Sequence, residues 1–132
     1  MKIDILTFCD NAQEYNNKLV IVGTFNSIAA PQFPAIHKEL AIAIRVIWDS
    51  NDIGDHHISI SIKKESEDVY LVNPTEIGVF TIKGLEGDGI HVNNIIVRLN
   101  NLYLPSEGKY VASLLLNDKE YTSNLILQNH KP

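Results

Sequence analysis

The stretch LPSEGKYVASLLLND, Leu104 to Asp118, joins a Pro-x-x-Gly turn to a Tyr two residues later, then an alternating strand, then an Asn-Asp turn. Pro105 stops the preceding strand, because it has no N–H for a ladder, and Gly108 permits a φ that a residue with a Cβ resists. Tyr110 then stands where a corner tyrosine of a Greek-key sandwich sends its hydroxyl back to an upstream backbone group, pinning the crossover between sheets. With Tyr110, Ala112, Leu114 and Leu116 on one parity, the strand feeds a core. Val111, Ser113 and Leu115 face the other way. The segment is structural and implies no chemistry of its own.

Outward from it, the apolar period is two nearly everywhere, which is the pattern of half-buried strands and not of amphipathic helices. In HHISISIKK, Ile58, Ile60 and Ile62 share one face while Ser59, Ser61 and Lys63 share the other. In ELAIAIRVIW, Leu40, Ile42, Ile44, Val46 and Trp48 share a parity against Ala41, Ala43, Arg45 and Ile47. Further strands are expected at Lys2 to Phe8, Leu19 to Ile28, Val69 to Leu71, Gly78 to Ile82, Ile95 to Leu104, Lys109 to Leu116 and Tyr121 to Leu127. Turn-forming clusters separate them, among them Asn16-Asn17, Asp49 to Asp55, Asn73-Pro74, Gly87 to Gly89 and Asn117-Asp118. Short helical turns are allowed at Asp10 to Tyr15 and at Pro34 to Glu39. Between Ile95 and Leu104 the apolar parity switches, which predicts a bulge near Asn100-Asn101. The expected fold is all-β, an antiparallel Greek-key β-sandwich of immunoglobulin-like or C2-like type.

With 132 residues, 45% of them apolar and 20% charged, the chain reads as one globular domain spanning residues 1 to 132, with enough core to need no disulfide or structural metal. A formal net charge of -5 argues against general nucleic-acid or anionic-membrane binding, since both require a basic surface. Neither a signal peptide nor a membrane-spanning segment is recognisable. The lone Cys9 cannot form an intrachain disulfide, which is compatible with a cytoplasmic location.

The run IDILTFCDNAQEYNNKLVIVGTFNSIAAPQFP, followed by a strand, a Gly-x-His loop and the Pro-x-x-Gly-x-Tyr end, resembles a family of small uncharacterised bacterial proteins grouped as a domain of unknown function. Its anchors here are Phe8-Cys9-Asp10, the Lys18-to-Phe25 strand with Gly23, Phe33-Pro34 and Gly108-x-Tyr110. The resemblance implies a bacterial, cytoplasmic, immunoglobulin-like or C2-like β-sandwich and brings no catalytic residue with it. One departure is Asn16-Asn17, which stands where the family pattern would place a Gly before Lys18.

Chemistry has one local candidate. DSNDIGDHH gathers Asp49, Asp52, Asp55, His56 and His57 around Gly54, and carboxylates with an imidazole are donors for a divalent metal. The spacing does not match an EF-type calcium loop, because Ile53 and Ile60 stand where oxygen donors belong. His56 and His57 should face opposite ways within a strand, so only one could join the carboxylates. The alternative is a solvated turn. Cys9 lies beside Asp10, whose charge works against a thiolate, and GLEGDGI, Gly84 to Ile90, has the wrong spacing for a dinucleotide loop. No cofactor is implied.

The expectation is therefore a non-enzymatic interaction or structural module, with a metal-dependent binding protein or hydrolase at Asp49 to His57 as the rival. LVIVGTF and VASLLLN are apolar on both parities, and a lone antiparallel sandwich should turn polar on its outer face. Chain termini or a partner must then cover that face. A homo-oligomer or another protein partner is expected, with Val111, Ser113 and Leu115 as the outward stripe.

Overall fold

The computed structural model describes residues 1–84 and 91–130. Nine strands run through them: β1 (Lys2–Tyr15), β2 (Lys18–Phe25), β3 (Ser27–Ala30), β4 (Ala35–Trp48), β5 (Gly54–Lys64), β6 (Tyr70–Ile82), β7 (His91–Leu104), β8 (Gly108–Leu116) and β9 (Lys119–Asn129). They form two sheets, ordered β2-β1-β4-β7 and β3-β9-β8-β5-β6, antiparallel throughout except where β3 runs parallel to β9. The chain is all-β, and among the described residues there is no helix.

The core lies between the sheets. Leu40, Ile42, Ile44, Val46 and Trp48 of β4 meet Ile58, Ile60 and Ile62 of β5, Tyr110, Ala112, Leu114 and Leu116 of β8, and Leu125 and Leu127 of β9. No polar or charged residue is buried as a whole among those described. Burial of this alternating set drives the two sheets together, at about 25 cal/mol per Å² of apolar surface.

Several expected elements are corrected. Asp10 to Tyr15 and Ala35 to Glu39 are strand, not helical turn, because each finds a ladder: Asn11–Tyr15 pairs with Lys18–Val22, and Ala35–Glu39 with Asn100–Leu104. The strand expected from Leu19 to Ile28 is two strands, since the chain leaves the first sheet at Phe25 and joins the second at Ser27. Conversely, the strands expected at Val69 to Leu71 and Gly78 to Ile82 are one, β6, which begins at Tyr70. β6 carries Asn73-Pro74 in its interior, which an edge strand tolerates, and its register with β5 shifts nearby.

The parity switch in β7 is not a one-sided bulge. The β4–β7 register is the same on both sides of it, and Lys38 and Asn101 together drop out of the pairing. Asn101 adopts a left-handed φ of 54°, so both strands change parity at once, and Leu102 and Leu104 are buried beyond it. Asp10 and Gly23 repeat the device in the β1–β2 ladder. They too are missing from an otherwise constant register, with Gly23 at φ 68°.

At that second kink the hairpin changes course. β1 pairs with β4 only as far as Cys9↔Ala41. Beyond Asp10, β1 and β2 fold back as a two-stranded arm over the outer face of their own sheet. Ala12, Leu19 and Ile21 on its underside pack on Cys9, Ala41, Ala43 and Ile96. Arg98 Nη2 donates to Ala12 O at 2.8 Å, and Asn94 Nδ2 to Asn17 O at 3.2 Å, tying the arm down along β7. Its tip is a two-residue turn with Asn16 and Asn17 both at positive φ, a conformation asparagine tolerates and tight hairpins need.

Candidate interaction surface

The segment Leu104 to Asp118 places its residues at the crossover from β7 to β8. Tyr110 is fully buried, and its Oη donates to Ser106 O at 2.9 Å. Gly108 sits at φ 141°, and a Cβ there would press on the Lys64 side chain, whose Nζ donates to Ser106 Oγ at 3.1 Å. Pro105 lies between the strands. The arrangement holds a corner; it exposes no reactive group.

The Asp49-to-His57 loop is organised by hydrogen bonds to protein groups. The Met1 ammonium lies 2.8 Å from Asp52 Oδ2 and 3.1 Å from Asp49 Oδ2. Asp49 Oδ1 accepts from Asn51 N and Asp52 Oδ2 from Asp49 N, both at 2.8 Å. Asp55 turns to the opposite neighbour, accepting from Thr81 Oγ1 at 2.7 Å. The Asn51 N–H first, then the ammonium, hold the Asp49 carboxyl below its ordinary range, while the Asp52 bond raises the ammonium above its own.

His56 packs against Trp48 with ring centroids 4.6 Å apart and the planes tilted by 41°. Its Nδ1 accepts from Asn117 Nδ2 at 2.9 Å, which leaves Nε2–H to donate to Asp52 O at 2.7 Å. His57 points away to Glu76 Oε1 at 2.8 Å. Trp48 Nε1 donates to Asn93 Oδ1 at 2.7 Å. A cleft of about 280 Å³ is bounded here by Met1, Asp52, His56, Asn117 and Lys119. Thus Asp49 and Asp52 meet at the ammonium, whereas Asp55 and the His56 ring nitrogens are engaged elsewhere. Among the described residues no three His, Cys, Asp or Glu side chains converge as metal ligands would.

The other histidines are dispersed. His91 pairs with Trp48 at this end, and His37 pairs with Leu102 at the far end, its ring 6.2 Å from Phe25. Of the glycine-rich stretch only Gly84 is described; Leu85 to Ile90 lie outside the described residues. Cys9 is sealed beneath the arm with Sγ 3.6 Å from Ala41 O. Burial foremost, and then the charge of Asp10, push its thiol up and away from reactivity.

Besides the exposed Ile36–Tyr103 pair across β4 and β7, two outward faces bear on association. Val111, Ser113 and Leu115 do face outward on β8, with Leu115 38% exposed, but their cross-strand neighbours are Lys63, Ser61 and Ser59 on β5 and Asn124, Thr122 and Glu120 on β9. That face is mainly hydroxyl, amide and charge. The arm's upper face differs: Tyr15 is 68% exposed, Val20 46% and Val22 58%, all on the parity opposite Leu19 and Ile21. The signal for it was present in LVIVGTF, whose second apolar parity has no place in a solvated strand. What could not be read was that one parity of this strand is covered by the chain's own sheet and the other is open.

A family of unknown function, DUF6941, matches residues 4–126 by its profile. Among curated proteins none matches. Of solved structures, a β-glucosidase from Listeria innocua in complex with gluconolactone is similar at TM-score 0.48 and 6% identity, over 96% of this chain and 17% of that one. A superoxide reductase (neelaredoxin) from Ignicoccus hospitalis is similar at TM-score 0.35 and 13% identity, over 92% of this chain and 80% of that one. The chain thus spans about a sixth of the glucosidase it resembles. Likenesses this distant carry no argument about function.

Proposed function

This chain belongs to the family of unknown function DUF6941, and from its own residues we propose that it is a non-enzymatic interaction module that associates with a second copy of itself or with another protein. The observation that carries this reading is the arm's upper face. Three large apolar side chains stand exposed there on one face, Tyr15 at the end of β1 and Val20 and Val22 on β2, a strand paired on one side only. Single exposed apolar residues are ordinary, but a cluster on an edge strand marks a contact surface. The groups with chemical potential are meanwhile spent on structure: Asp49 and Asp52 on the Met1 ammonium, Asp55 on Thr81, His56 on Asn117 and Asp52. The Tyr110 bond at the β7–β8 crossover, together with β3 lying parallel to β9 at the sheet edge, supports an immunoglobulin-like Greek-key arrangement.

Sedimentation velocity over a concentration series tests the reading. Wild-type protein should pass from monomer to a larger species, and Tyr15→Ser/Val20→Thr/Val22→Thr should remain monomeric with its thermal unfolding unchanged. A wild-type protein that stays monomeric at high micromolar concentration would remove self-association. Association undiminished in the triple variant would remove the arm as its surface.

A further inference from the structure

Four strands end the two sheets: β2 and β7 in one, β3 and β6 in the other. Free edges invite pairing with another chain, and folded proteins blunt them with short length, proline, bulges or charge. β3 is only four residues long, and Pro31 follows it. β6 carries Pro74, Glu76 and several register shifts. β7 has the left-handed Asn101, and its Asn94 and Arg98 side chains are committed to the arm. Over Lys18–Val22, β2 has no proline, bulge or acidic residue, and its one charge is Lys18, ahead of Leu, Val, Ile and Val. It ends at the Gly23 kink.

Charge singles out the same place. The chain carries 16 acidic residues and a net charge of -5, so two copies carry a net mutual repulsion. From Tyr15 through Lys38 the sequence holds no Asp or Glu. Two edge strands lie inside that run, β2 and the four-residue β3, and only β2 is long enough for an extended ladder, so the arm's edge is where two copies can pair without acidic groups facing each other.

We propose that two copies of this chain pair antiparallel through β2, about a two-fold axis at Ile21, joining their two-stranded arms into one four-stranded layer. This rests on the self-association reading above and names its geometry. The register follows from symmetry: Ile21 opposes Ile21, and each Val20 opposes the other copy's Val22, so the exposed valines cover one another across the axis. Each Lys18 falls opposite the other copy's Thr24, next to the Asp10 carboxylate that lies against Gly23. That gives the contact its one pair of opposite charges at either end.

The test uses full-length single-cysteine chains in a Cys9→Ala background, one with Val20→Cys and one with Val22→Cys. Directly opposed strand residues lie about 4.5–5.5 Å apart at Cα, inside the reach of a disulfide, whereas the diagonal from one residue 20 to the other is about 7–8 Å and lies outside it. Under mild oxidant, an equimolar mixture should give a covalent dimer on a non-reducing gel, and each variant alone should give little. Both replaced valines are exposed, so folding is not at stake. Cross-linking of Val20→Cys by itself at the rate of the mixture would overturn the register. Dimers in sedimentation without cross-linking of the mixture would overturn the β2 pairing while leaving self-association standing. Monomers throughout would overturn both.

Discussion

The two sheets differ in what lies on their outer faces. On the second, the outward residues of β5, β8 and β9 are largely Ser59, Ser61, Ser113, Thr122 and Asn124, and water covers them. On the first, the outward residues of β1 and β4 that lie under the arm are Cys9, Ala41 and Ala43, all essentially inaccessible. The small side chains are what let a second layer of backbone approach so closely. A strand's second parity thus reports its cover: polar where the cover is water, small and apolar where it is the chain's own hairpin.

Matched enlargements on the two faces break the comparison most strongly. Ala43→Leu should overpack the space beneath the arm and cost about 2 kcal/mol, while Ser61→Leu on the opposite face should stay within about 0.5 kcal/mol, both read from denaturant midpoints. Equal effects would mean that the arm does not press on Ala43. Next in size, Gly23→Ala should cost about 1–2 kcal/mol, because φ 68° strains a residue with a Cβ and the new methyl meets Asp10 Oδ2. Amide exchange should then quicken in Asn11–Val22 and not in β8 if the strain acts on the arm.

At the corner of the second sheet, Tyr110→Phe removes the bond to Ser106 O and should cost about 1 kcal/mol, with the arm's exchange rates unchanged. Cys9 offers a kinetic comparison. Its buried thiol should label slowly with iodoacetamide in the wild type and several-fold faster in Gly23→Ala, at a rate set by arm opening. Unchanged labelling would show that Cys9 is reached by another route.

The smallest effect belongs to the Met1–Asp49–Asp52 contact. Asp49 is lowered from 3.8, so its contribution is present above that value and fades as pH falls through the lowered one. The ammonium is raised from 8.0, so its contribution is complete below that value and fades as pH rises through the raised one. Thermal stability should therefore show a shallow decline at each end, and N-terminal acetylation should erase the alkaline one. Neither change should touch the arm.

Much of the architecture was legible because period-two alternation is a local property. Ile58, Ile60 and Ile62 could only be a buried stripe, and Tyr110 after Pro105 and Gly108 could be placed at a corner from spacing alone. The errors fell where a neighbour decides. Asp10 to Tyr15 has no strong strand alternation and becomes strand because Lys18–Val22 lies beside it. Pro74 looks like a strand breaker and is harmless on an edge. The Asp49-to-His57 cluster showed its donors in sequence but not their directions, since proximity along a chain does not make carboxylates converge.

By itself the sequence determined the all-β class, the inward residues of the central strands and the tight asparagine turns, because each follows from the conformational limits and alternation of a few adjacent residues. Only the tertiary structure decided that the Asp10–Gly23 kink turns a hairpin back over its own sheet. That choice sets which apolar parity is sealed and which is open, and it depends on Ala41, Ala43, Asn94 and Arg98, all distant along the chain and close only once the sheet has formed.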